Sequence, residues 1–70
     1  MKPITPQEKK VLELIGDGYS TPQIAYALAI STHTVESHRK NLLLKLNAKN
    51  AAELIRNAIQ VKAISLHYND

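Results

Sequence analysis

The chain reads as an all-α domain, four helices that include a helix-turn-helix. Three observations predict this. Apolar residues recur at helical spacing, and strand-type alternation is absent. Each apolar run follows a residue able to accept from free helix N–H groups: Thr5, Ser20, Ser31 and Asn50. The links between runs are only a few residues long, as in compact helical units. The expected helices cover about 6–16, 21–28, 32–46 and 51–63.

The first helix has a complete start signal. Thr5 is the N-cap, Pro6 takes the first position, and Glu8 closes a T-x-x-E capping box. Ile4 is placed as a hydrophobic staple. Val11, Leu12, Leu14 and Ile15 form the core stripe. Gly16 and Gly18 end the helix, Gly18 being the better left-handed cap. Lys9, Lys10 and Glu13 form a solvated face.

The second helix starts at Ser20-Thr-Pro-Gln23 in one of two registers. Ser20 with Gln23 makes a capping box, whereas Thr21 with Pro22 makes a rival N-cap and first position. Ile24, Ala25 and Leu28 supply its apolar face. Ala25 is small enough for the next helix to approach closely. Ala29 and Ile30 then lead into Ser31.

The third helix opens at Ser31 and closes on Asn47, which tolerates a left-handed conformation. Wound at ~100° per residue, it separates two faces. Val35, Leu42 and Leu46 gather on one side, flanked by His38 and Arg39. His33, Ser37, Lys40 and Leu44 point the other way, with Glu36, Asn41 and Lys45 at the shoulders. An ordinary amphipathic helix would show a solvated face of this kind. In a helix-turn-helix, however, the second helix of the pair lies in the major groove, where such side chains read base edges.

The fourth helix opens with an N-x-x-E box at Asn50 and Glu53. Leu54, Ala58 and Val61 form one stripe, while Ile55, Ile59 and Ala52 lean away from it. One core stripe needs only the first group. The surplus points to a partner chain at Ile55 and Ile59, against the alternative of a helix wedged deeply into a small core. Lys62 to Asp70 carries weak helical character, ending in a mobile Tyr68-Asn-Asp70.

Seventy residues make one small domain with a modest core and no room for a large active-site cavity. No cysteine is present, which excludes disulfides and thiolate metal sites. No apolar run approaches a membrane span, and no signal-peptide pattern opens the chain, so a soluble, cytoplasmic domain is expected. Distribution of charge says more than the net +3. Between Ser31 and Asn50, Arg39, Lys40, Lys45 and Lys49 face a single carboxylate, Glu36, and the rest of the chain is neutral. Cations concentrated on one helix and its following turn suit a phosphate backbone. Chemistry is not expected. His33 and His38 lie ~140° apart around a helix, the carboxylates are scattered among capping positions, and no Gly-rich phosphate loop occurs. The chain is therefore read as no enzyme, with no metal and no cofactor.

At Ile4-Thr-Pro-Gln-Glu-Lys-Lys-Val-Leu12, Gly18-Tyr-Ser20, Ile24-Ala25, Ile30-Ser31, Thr34-Val35, His38 and Lys45-Leu46 the chain resembles the LuxR-type (GerE-like) helix-turn-helix domain. The resemblance runs from Ile4 to Ile64. Members include the output domains of NarL/FixJ-type two-component response regulators. It implies sequence-specific binding of double-stranded DNA by a bacterial transcriptional regulator, with the third helix in the groove and the fourth aiding homodimerisation on DNA. Carried over, base contacts fall on Glu36, Ser37 and Lys40. Phosphate contacts fall on Ser20, Thr21, Thr34, Asn41 and Lys45. RNA polymerase is a further candidate partner, and a membrane is not. Members commonly carry a receiver or ligand-binding domain upstream, so a fragment of a longer regulator is expected ahead of a free-standing one.

Two departures matter. Glu36 occupies a place that is often basic in the family; its carboxylate can accept from cytosine N4 but repels phosphates. Lys62 falls near a frequent glycine, so the fourth helix is expected to run on. The rival readings are region 4 of a sigma factor, which usually ends soon after its recognition helix, and a protein-interaction module that binds no DNA.

Overall fold

The computed structural model describes residues 3–62. They form α1 (Pro6–Gly16), α2 (Thr21–Leu28), α3 (Thr32–Lys45) and α4 (Ala51–Gln60), with no strand among the described residues. The architecture is all-α. α3 packs against all three other helices, whereas α2 and α4 do not meet.

Side-chain caps start every helix. Thr5 Oγ1 accepts from the Glu8 N–H at 3.1 Å, and Glu8 Oε1 accepts from the Thr5 N–H at 3.0 Å. Ser20 and Gln23 close a second box, which settles the register of α2: Ser20 is the N-cap and Thr21 the first helical residue. Ser31 Oγ accepts from the Thr34 N–H at 3.0 Å. At α4 the box opens out by one residue. Asn50 Oδ1 accepts from the Glu53 N–H, but Glu53 Oε1 accepts from the Lys49 N–H and not from that of Asn50.

All four helices are followed by a residue with positive φ: Gly18 (91°), Ala29 (55°), Asn47 (53°) and Lys62 (59°). At the first three, paired backbone bonds of the Schellman type use carbonyls the helix leaves over, such as Tyr19 N–H to Leu14 O and Ile30 N–H to Ala25 O, both 3.0 Å. Lys62 corrects the expectation that α4 runs on. The helix stops at Gln60, and Lys62 takes the left-handed conformation without being glycine. The expected mobile segment Tyr68 to Asp70 lies outside the described residues.

The core comprises Val11, Leu12 and Ile15 from α1, Ile24 and Ala25 from α2, Val35 and Leu42 from α3, Leu46 just beyond it, and Leu54 and Ala58 from α4. Leu14 and Ile4 are only half-buried against this cluster. Val61, expected in the α4 stripe, is 52% exposed because the helix has already ended before it. Burying side chains of the Leu12, Ile24 and Leu42 kind contributes ~1.5–3 kcal/mol each. The helix these contacts hold most firmly is α3, which carries the candidate site.

Candidate nucleic-acid interface

α3 meets the rest of the domain through Val35 and Leu42, both fully buried. His38 and Arg39 are half-buried at the flanks. On the far side His33, Glu36, Ser37, Lys40, Asn41 and Leu44 are all exposed, as winding the sequence predicts. Ser37, Lys40 and Asn41 have no hydrogen-bond partner among the described residues, so their donors and acceptors stay available. Ser20 and Thr21 stand at the start of α2, and Thr34 lies in the first turn of α3. Thr34 Oγ1 shares a 2.9 Å hydrogen bond with Ser31 Oγ.

Two of the sequence-derived candidates meet directly. Thr21 Oγ1 donates to Glu36 Oε1 at 2.7 Å, tying the first residue of α2 to the outer face of α3. Glu36 and Lys40, one turn apart, make no ion pair. The acid therefore turns towards α2 and not along its own helix.

Lys45 stands apart. Its Nζ donates to Glu8 Oε1 at 2.6 Å and to the Pro3 carbonyl at 3.1 Å, so the ammonium faces α1 and the segment before it. Glu8 is 3% exposed, and this is the only ion pair among the described residues. Burial tends to raise the Glu8 pKa, but the Lys45 ammonium and the Thr5 N–H and hydroxyl more than offset it. The net result is a carboxyl held below its ordinary value. Sequence reasoning saw Glu8 only as a capping residue and missed this pairing. Asn57 was also missed: its amide donates to the Leu46 and Asn47 carbonyls at 2.8 and 3.3 Å and pins α4 to the end of α3.

Among the described residues no cluster of His, Cys, Asp or Glu could hold a metal ion, and no helix is long and apolar enough to cross a membrane. Ile55 is half-buried against the core, whereas Ile59 is 37% exposed.

Residues 2–58 match the model of the family described as bacterial regulatory proteins, luxR family. The chain belongs to this family. The transcriptional regulatory protein MctR of Rhizobium johnstonii is 44% identical over 63 residues, covering 90% of this chain and 29% of that protein. DesR of Bacillus subtilis, also a transcriptional regulatory protein, is 45% identical over 53 residues, covering 76% and 27%. The crystal structure of the response regulator ChrA, of a heme-sensing two-component system, superimposes with a TM-score of 0.88 at 30% identity, covering 91% of this chain and 32% of that one. The chain thus spans less than a third of the length of these relatives. Membership makes this a LuxR-type helix-turn-helix domain of the DNA-binding, transcription-regulating kind.

Proposed function

We propose that the domain binds duplex DNA sequence-specifically as the output domain of a response regulator in the bacterial cytoplasm. The observation that carries this is the division of α3: one face locked into the core against three helices, the other showing unpartnered Ser37, Lys40 and Asn41. A helix so held can enter a major groove without breaking any bond of the fold. Glu36, Ser37 and Lys40 read bases, Lys40 being suited to guanine O6 and N7 and Glu36 to cytosine N4. Ser20, Thr34 and Asn41 contact phosphates, and Thr21 leaves that set because its hydroxyl donates to Glu36. Lys45 leaves that set, because its ammonium is engaged by Glu8 and Pro3. Two domains pair on DNA through the apolar patch of α4 centred on Ile59, with Ile55 at its inner edge. RNA polymerase is a further partner such a regulator would meet.

Titration of a fluorescent duplex across salt concentrations tests the reading. Arg39, Lys40 and Lys49 are the cations between Ser31 and Asn50 that form no ion pair among the described residues. Neutralising about three phosphates per domain with them gives a slope of log K against log[salt] near −3. No binding at low salt, or no salt dependence, would leave a protein-interaction module in its place. Lys40→Ala should cost ~1–3 kcal/mol on the preferred site and less on random duplex. An equal loss on both would move Lys40 to the phosphate backbone.

A further inference from the structure

We infer that Thr21 is a positioning residue for base readout: its hydroxyl aims the Glu36 carboxylate at a cytosine and does not contact phosphate. The inference rests on the DNA-binding reading above. A threonine hydroxyl carries one proton. At the start of α2 that proton has two claimants, a DNA phosphate and Glu36, and a hydrogen bond to one forgoes the other. In the structure it goes to Glu36 Oε1 at 2.7 Å, across 15 residues of sequence.

Glu36 has a ready alternative in Lys40, one helical turn away, and does not take it. With Oε1 held by Thr21, Oε2 has no partner among the described residues and remains free to accept from a base amino group. Because the pair is exposed, the bond is weak in water. In a groove cleared of bulk water it strengthens and spares the carboxylate a second desolvated lone pair. Thr21 is also the first residue of a capped helix, so its side chain starts from a fixed backbone. The hydroxyl thus lowers the cost of bringing a carboxylate into a negatively charged groove and fixes where it points.

The experiment compares Thr21→Val, which keeps the shape and removes the hydroxyl, with Thr21→Ser, which keeps the hydroxyl. Sequence selection with the wild-type domain first defines the preferred duplex. Affinities are then measured for that duplex, for one with the candidate cytosine pair replaced, and for random DNA. The wild type should discriminate against the replaced pair by roughly fivefold or more. Thr21→Val should lose most of that discrimination with little change on random DNA, and Thr21→Ser should retain it. In a Glu36→Gln background, Thr21→Val should cause no further loss. A uniform loss on all three duplexes with a shallower salt slope would overturn the inference and make Thr21 a phosphate contact, leaving DNA binding intact. Full discrimination by Thr21→Val would overturn it as well. If the wild type binds no duplex, the functional reading fails first and this inference with it. Circular dichroism of each variant checks that the helices persist.

Discussion

Glu8 and Lys45 show what a single buried charge demands. A carboxylate at 3% exposure is costly unless paired, and Lys45 at 2.6 Å with the Thr5 N–H at 3.0 Å supplies the pairing. Because these donors hold the folded pKa below the ordinary glutamate value, the unfolded chain takes up the proton first as pH falls. The stabilisation is therefore complete above the ordinary glutamate range and is lost as pH drops from that range through the lower folded value. Urea unfolding at neutral and acid pH should show this decline in the wild type and a flatter profile in Glu8→Gln. Lys45→Met removes the ammonium but leaves the Thr5 N–H on the carboxylate, and should cost ~1–3 kcal/mol at neutral pH, while leaving the salt slope of DNA binding unchanged. A slope reduced by about one would return Lys45 to the phosphate set. The pairing joins residues 37 apart. From the sequence, Glu8 has a sufficient role in its capping box and Lys45 reads as a groove-edge cation. Only the packing of α1 on α3 brings them together, as only the packing of α2 on α3 brings Thr21 to Glu36.

At the level of the element, the helix starts were legible, the register of α2 apart, and so was the end of α2 at Leu28; the left-handed backbone at Ala29 and Lys62 was not. Thr5, Ser20, Ser31 and Asn50 act through side chains aimed at their own backbone, which is local chemistry. Gly18 and Asn47 carry the intrinsic tolerance of left-handed backbone that marks an end. Ala29 and Lys62 carry no such mark, yet both adopt it. Ala29 turns the chain between α2 and α3, where burying Ile24 and Ala25 of α2 and Val35 of α3 in one core outweighs the local preference of one alanine. That residue therefore holds recoverable strain. Ala29 is exposed, so Ala29→Gly removes no core contact and should stabilise the domain by ~0.5–1 kcal/mol. Thermal unfolding should show this as a Tm raised by roughly 2–6 °C. A lowered Tm would mean that the alanine methyl contributes more than the conformational relief.

For the whole molecule, the outstanding surface is the apolar side of α4. The sequence showed more apolar residues there than one stripe uses, and the structure divides them. Leu54 and Ala58 are buried, Ile55 lies half-buried against the core, and Ile59 and Val61 are 37% and 52% exposed. Ile59 therefore stands at the boundary between core and surface, and a polar replacement should leave a folded domain. So few side chains fall well short of the ~1,200 Å² of a stable interface, so the free domain should be largely monomeric. Two domains on adjacent half-sites, about 10–10.5 base pairs apart, meet at a high effective concentration, and a weak patch then suffices. Binding to a two-half-site duplex should accordingly be cooperative, whereas a single half-site should bind with simple one-to-one behaviour. Ile59→Glu should abolish the cooperativity, since pairing would bring two carboxylates together in an apolar contact. Its affinity for one half-site and its thermal unfolding should stay near wild type. Mobility-shift titrations on single and paired half-sites, with analytical ultracentrifugation of the free domain, check each part. A variant that unfolds would place Ile59 in the core, and a wild type that binds paired sites independently at every spacing would remove α4 as the contact between domains.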